Sequence, residues 1–113
     1  MGINVDKILF SSLGNKIMCS GELLKEKRYA HIMNKHAMGA LSNYAKAKDV
    51  DVYLSSTGRN LFDDVRITVF GKGSVSNKSE SAIRLDEDPR NFAEAMRTIY
   101  RSVENSVKTL KQD

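Results

Sequence analysis

The chain is 113 residues long, enough for one hydrophobic core and too short for two domains. Hydrophobic residues make up 41% and charged residues 28%, a balance that excludes both a disordered chain and a membrane span. The net charge is +4 and unevenly spread, with eight basic and four acidic side chains in residues 1–49, so an anionic partner is a reasonable expectation.

The stretch Val5 to Gly21 reads as a hairpin. Ile8-Leu9-Phe10 and Ile17-Met18-Cys19 flank Leu13-Gly14-Asn15-Lys16, whose Gly-Asn pair suits a tight turn. Residues 22–48 are expected to form one long helix, with Ser20 as its N-cap and Asp49 at its end. Leu23, Ala30, Met33, Ala37, Ala40, Leu41 and Tyr44 recur at helical spacings and predict its buried face.

Val50, Val52 and Leu54 then alternate with Asp51, Tyr53 and Ser55, the pattern of a strand with one buried side. After the turn residues Ser56-Thr57-Gly58-Arg59-Asn60, Val65, Ile67 and Val69 alternate with Arg66, Thr68 and Phe70. Gly71-Lys72-Gly73-Ser74 breaks that strand, and Ser81, Ile83 and Leu85 carry a shorter third one. Asp88-Pro89 opens a final helix, because proline suits the first helical position and Asp88 can cap in front of it. Phe92, Met96, Ile99, Val103, Val107 and Leu110 mark its apolar stripe, and alternating charges (Arg90, Glu94, Arg97, Arg101, Glu104, Lys108) its solvated side. The expected class is therefore α+β, in the order β-β-α-β-β-β-α, with an antiparallel sheet of about five strands and two long helices.

Signals for chemistry are sparse. Gly71-Lys72-Gly73-Ser74 lacks the first glycine of a phosphate loop and is not followed by a helix. His31 and His36 would project about 140° apart on a helix, too far for one metal ion. Cys19 has no partner histidine at a readable spacing, and Asp86-Glu87-Asp88 is better suited to opposing a positive helix end than to holding a cation. Asn77-Lys78-Ser79 matches a glycosylation acceptor, which means little without a signal peptide, and the opening residues lack one's basic and apolar regions. The longest apolar runs are three residues, against about 20 for a bilayer crossing, so no membrane association is expected. A lone cysteine points to a reducing, cytoplasmic setting. The sequence thus predicts a non-catalytic protein with no metal and no cofactor.

Two surface constellations stand out. On the expected first helix, Lys27, Arg28, His31, Lys35 and Lys46 fall opposite Met33 and Ala37, with Arg28 to Lys46 spanning about 27 Å. No acidic residue lies between Lys27 and Lys48, so this stripe fits a run of phosphates, while a purely solvated face is the bland reading. On the strands, Tyr53, Arg66, Phe70 and Arg84 share the phase opposite the apolar residues. Aromatic rings interleaved with arginine on an open sheet suit unpaired bases, unless a helix covers that side. The leading expectation is a nucleic-acid-binding or nucleic-acid-associated regulatory protein. The alternative is a protein-interaction module (scaffold, adaptor or inhibitor subunit) that meets an acidic protein surface or works through its last helix or a sheet face.

The strand–helix order resembles two small dimeric folds, the roadblock/dynein-light-chain type and the transcription-coactivator type of single-strand binder. The resemblance implies a homodimer; no signature residue accompanies it, so it assigns no site or activity. The apolar band of the last helix, widened by Tyr100, gives the expected dimer seam: Met96, Ile99, Tyr100, Val103, Val107 and Leu110.

Overall fold

The computed structural model describes residues 10–13, 16–56, 64–72 and 76–110. The expected strand residues Ile8 and Leu9, the turns at Gly14-Asn15 and 57–60, and Gly73-Ser74 lie outside these. The fold is α+β. Five strands, β1 (Phe10–Ser12), β2 (Ile17–Ser20), β3 (Asp51–Ser56), β4 (Asp64–Phe70) and β5 (Lys78–Arg84), lie in one sheet in chain order. The helices are α1 (Gly21–Leu24), α2 (Gly39–Lys48) and α3 (Phe92–Thr109).

The sheet is mixed rather than antiparallel. β1 and β2 form the expected hairpin, and β3, β4 and β5 form an antiparallel meander, but β2 runs parallel to β3. The cause is the intervening connection. Parallel neighbours need a crossover of a dozen or more residues, and the helices packed on the sheet between β2 and β3 supply it.

The single helix expected over 22–48 is broken. After α1 come a 3-10 turn at Lys27–Tyr29 and further turns up to Met38, and only then α2. Tyr29, Ile32, Met33 and Met38 are all buried. On a continuous helix Tyr29 and Met38, nine residues apart, would point about 180° from each other. Breaking the helix lets both reach the core. Asn34 locks the break: its Oδ1 accepts from the Ala37 N–H (2.8 Å) and its Nδ2 donates to the Ala30 carbonyl (3.0 Å), bonds that compete with helix. Ala30 and Ala40, expected inside, are exposed.

Cap residues behave as the sequence predicts. Ser20 accepts from the Leu23 N–H (3.2 Å), though of a four-residue helix. Asp88 accepts from the Arg90 N–H (2.9 Å), and Pro89 begins a 3-10 turn that leads into α3. Asp86 accepts from the Asp88 N–H and from Asn91 Nδ2, so two of the three acidic residues order this helix entry, while Glu87 lies near Arg28. Arg90 pairs with Asp88, not with Glu94, which instead meets Arg97.

One core holds everything together. Ile17, Cys19, Val52, Leu54, Val65, Ile67 and Val69 share one face of the sheet by register, and they cluster with Leu23 of α1, Leu41 and Ala45 of α2, and Ala95, Ile99, Val103 and Val107 of α3. The three described helices therefore cover the same side. Gly71 at the end of β4 is a close-approach position: a Cβ there would lie 2.7 Å from Asn77 Nδ2 and 3.2 Å from Leu110 Cδ1.

Asp49 closes α2 in the left-handed region (φ 56°) and ties three segments together. Its carboxylate meets Lys16 (3.0 Å) in the β1–β2 turn and Lys72 (3.3 Å) beyond β4. The hydrogen bond from Lys16, then that from Lys72, holds the Asp49 carboxyl below its ordinary range. A depressed carboxyl stabilises the fold above its unfolded pKa of about 3.9, and that contribution disappears as pH falls through the folded value. Asp49→Asn keeps a residue that tolerates positive φ while removing the charge. Urea unfolding should show the variant less stable than the parent at pH 7, with the gap closing in acid. A gap that is the same at pH 7 and in acid would show that these ion pairs contribute nothing.

Candidate functional site

The face of the sheet opposite the helices carries the most distinctive surface chemistry. Register fixes its layout. Tyr53 on β3 sits between Met18 and Thr68; Phe70 on β4 sits between Asp51 and Lys78; Arg66 sits between Ser55 and Ala82; Arg84 is the last residue of β5. None of these side chains belongs to the core cluster. Tyr53, Phe70 and Met18 are half-buried, Arg66, Lys78 and Arg84 exposed.

Pairing geometry turns that layout into a track. Residues diagonal across neighbouring strands lie about 7–8 Å apart. Tyr53 is diagonal to Phe70 on one side and to Arg66 on the other, and Arg66 is diagonal to Arg84. Tyr53, Arg66 and Arg84 thus cross three strands in one diagonal, and Phe70 stands off that line, on β4 on the other diagonal of Tyr53. Thr68, only 5% exposed, lies beneath this surface and its hydroxyl donates to Glu80 (3.4 Å). Asp51 and Glu80 put negative charge on the same face.

The structure unites the four sheet residues foreseen from the sequence and disperses the helix set. Lys27, Arg28, His31, Lys35 and Lys46 form no continuous helical stripe, because the helix meant to carry them is broken. They belong to the side of the sheet away from Tyr53. Arg28 is half-buried, paired with Glu26 (2.8 Å) and near Glu87 (3.7 Å), and stacked 4.8 Å over the Tyr29 ring. His31 has a solvent-shielded Nε2 with no hydrogen-bond partner among the described residues, and its ring lies 6.3 Å from Phe92. Lys27, Lys35 and Lys46 are exposed.

The expected dimer seam on the last helix is spent inside the chain. Ile99 and Val103 are fully buried, and Val107 and Leu110 nearly so, because α3 lies along the sheet and the sheet covers its stripe. Met96 and Tyr100 are half-buried, with Tyr100 packed on Tyr44 of α2 at 5.1 Å. Cys19 is also a core residue, and burial pushes its thiol up to about 12, so it supplies no thiolate near neutral pH.

One feature was not foreseen from the sequence: a cleft of about 420 Å³ between β5 and α3, lined by Ser79, Ser81, Ile83, Arg101, Ser102 and Asn105. Ser81 and Ser102 share a 2.6 Å hydrogen bond across it. The half-buried serines at alternate positions of β5 were its only sequence signal. Among the described residues no group of histidine, cysteine or carboxylate side chains could hold a metal ion. Nor is any helix there long and apolar enough to cross a membrane.

The fold and this surface define a small α+β domain with helices on one side of a mixed sheet and an aromatic–arginine track on the other. No family model matches the chain, and neither a curated protein nor a solved structure does.

Proposed function

We propose that this is a non-catalytic nucleic-acid-binding protein that takes single-stranded segments on its open sheet face. The observation that carries the reading is the diagonal of Tyr53, Arg66 and Arg84 with Phe70 beside it, on the side that none of the described helices covers. Ring faces stack any unpaired base, and guanidinium groups meet phosphates with little dependence on sequence. A duplex hides its base faces, so it would engage only the arginines. The cytoplasmic setting belongs to the same proposal and rests on the lone, buried Cys19. The basic side chains of the broken helix are not needed for it.

The test is fluorescence anisotropy with single- and double-stranded oligonucleotides over a salt series. Single strands should bind more tightly, and log affinity should fall linearly with log salt. Stacking contributes about 1–3 kcal/mol per base, so Tyr53→Ala with Phe70→Ala should weaken single-strand binding at least tenfold at every sequence. Both side chains lie outside the core cluster, so the fold should survive. No binding at low salt, or a double variant as tight as the parent, would overturn the reading.

Asp51 and Glu80 favour a second reading, in which the same face docks a protein. Mixed charge around an aromatic centre is ordinary interface chemistry. Under it, oligonucleotides fail to bind at any salt concentration.

A further inference from the structure

The two ends of the sheet differ. β1 has three residues, whereas β5 has seven and, among the described residues, no strand on its far side. Proteins that leave an edge in water usually shorten it, bulge it or break it with proline. β5 is neither short, bulged nor broken by proline, and its edge protection is limited to the charges of Lys78, Glu80 and Arg84.

The hydrogen-bond phase of β5 can be read from its start. The Gly71 N–H donates to the Asn77 carbonyl (2.7 Å), and bonded pairs alternate along an antiparallel ladder. Ser79, Ser81 and Ile83 therefore bond β4, and the backbone groups of Glu80, Ala82 and Arg84 turn towards the outer edge.

Charge then selects one way for two such edges to meet. Consider antiparallel pairing of β5 with a second β5 about a two-fold axis. Centred on Glu80 it sets Glu80 against itself; on Ser81, Lys78 against Arg84; on Ile83, Glu80 against Asp86; on Arg84, Arg84 against itself. Centred on Ser79 it matches Lys78 with Glu80 but overlaps only the first three strand residues. Centred on Ala82 it sets Glu80 against Arg84 twice and Lys78 against Asp86 twice, with Ala82 facing Ala82. Opposite charges directly across a pair stabilise it and like charges oppose it. In that register the outward N–H and C=O groups of Ala82 meet those of its copy, and the half-buried Ile83 gains a neighbour in Ser81 of the second copy.

We infer that the occupant of the β5 edge is a second copy of this chain, paired antiparallel about Ala82. The result is one sheet running through both copies, with their open faces on the same side. This inference stands on the edge alone and does not depend on the proposed nucleic-acid ligand.

Sedimentation equilibrium of the full chain tests it. The parent should be a dimer in the micromolar range. Ala82→Pro removes an N–H that β4 does not use and should raise the dimer dissociation constant about 100-fold, leaving the circular dichroism spectrum unchanged. Glu80→Arg and Arg84→Glu each bring like charges together twice, and each alone should weaken the dimer about tenfold. Combining them reverses every pair and should restore it. That rescue decides the matter if Ala82→Pro fails to fold. A monomeric parent, or a dimer indifferent to the proline and to both charge reversals, would overturn the inference. A monomer that still bound oligonucleotides would leave the function reading standing.

Discussion

Val103→Lys should unfold the protein. Val103 is fully buried near the middle of α3, between Ile99 and Val107 on the stripe that faces the sheet. An ammonium placed there has no described anion in the core to meet. Burial lowers a lysine pKa by about 4 units, and discharging it at neutral pH costs about 5 kcal/mol. Domains of this size are stable by only about 5–15 kcal/mol, and the lost packing adds to the cost. Circular dichroism and urea unfolding should therefore report a largely unfolded or barely folded chain at 25 °C. Met96→Lys is the control. Met96 is half-buried on the same helix, so a lysine there can keep its stem on the surface and its charge in water. A Val103→Lys chain as stable as Met96→Lys would mean that the stripe faces outward, as an interface between copies requires.

That contrast marks what the sequence could and could not convey. The alternation of Val52 with Leu54, and of Val65, Ile67 and Val69, located two strands and told their faces apart, because side chains in a strand have only two directions. The caps at Ser20 and Asp88 were equally legible, since a side-chain oxygen beside an unpaired N–H is a local matter. Tyr53, Arg66, Phe70 and Arg84 were found for the same reason as the strands. Their diagonal arrangement was not, because it depends on register between strands that are distant in sequence.

The helix expected over residues 22–48 yields to a global demand. The phase of each residue holds only along an unbroken helix, so one break displaces Lys27, Arg28, His31, Lys35 and Lys46 together. A warning was present: Tyr29, Ile32, Met33 and Met38 are large and apolar, yet no single helical face holds them all. The length of the same segment also argued for a parallel return to the sheet, since antiparallel neighbours need only a short turn. The stripe of α3 was read correctly as apolar but assigned to the wrong partner, for periodicity says that a face is buried and not against what.

Tyr29 pins that broken crossover, and Tyr29→Ala should cost about 3–5 kcal/mol, the range for removing a buried aromatic ring. The ring is 2% exposed and sits among the core residues, with the Arg28 guanidinium stacked 4.8 Å above it. Its hydroxyl donates to the Leu85 carbonyl at 3.5 Å, so it also links the crossover to the segment that leads into α3. That hydrogen bond is long, and its share is small. Tyr29→Phe should accordingly stay within about 1 kcal/mol of the parent in urea unfolding, while Tyr29→Ala loses the ring, its packing and the stacked arginine together. The damage should begin locally. The 3-10 turn Lys27–Tyr29 is three residues long and has no side-chain cap, so the buried ring, with the Arg28 ion pairs to Glu26 and Glu87, is what ties it down. Trypsin should cut after Lys27 and Arg28 faster in Tyr29→Ala than in Tyr29→Phe, at urea concentrations where both chains keep their helical signal. If the alanine variant were as stable as the phenylalanine one, the crossover would be held by Ile32, Met33 and Met38, and the ring would be incidental.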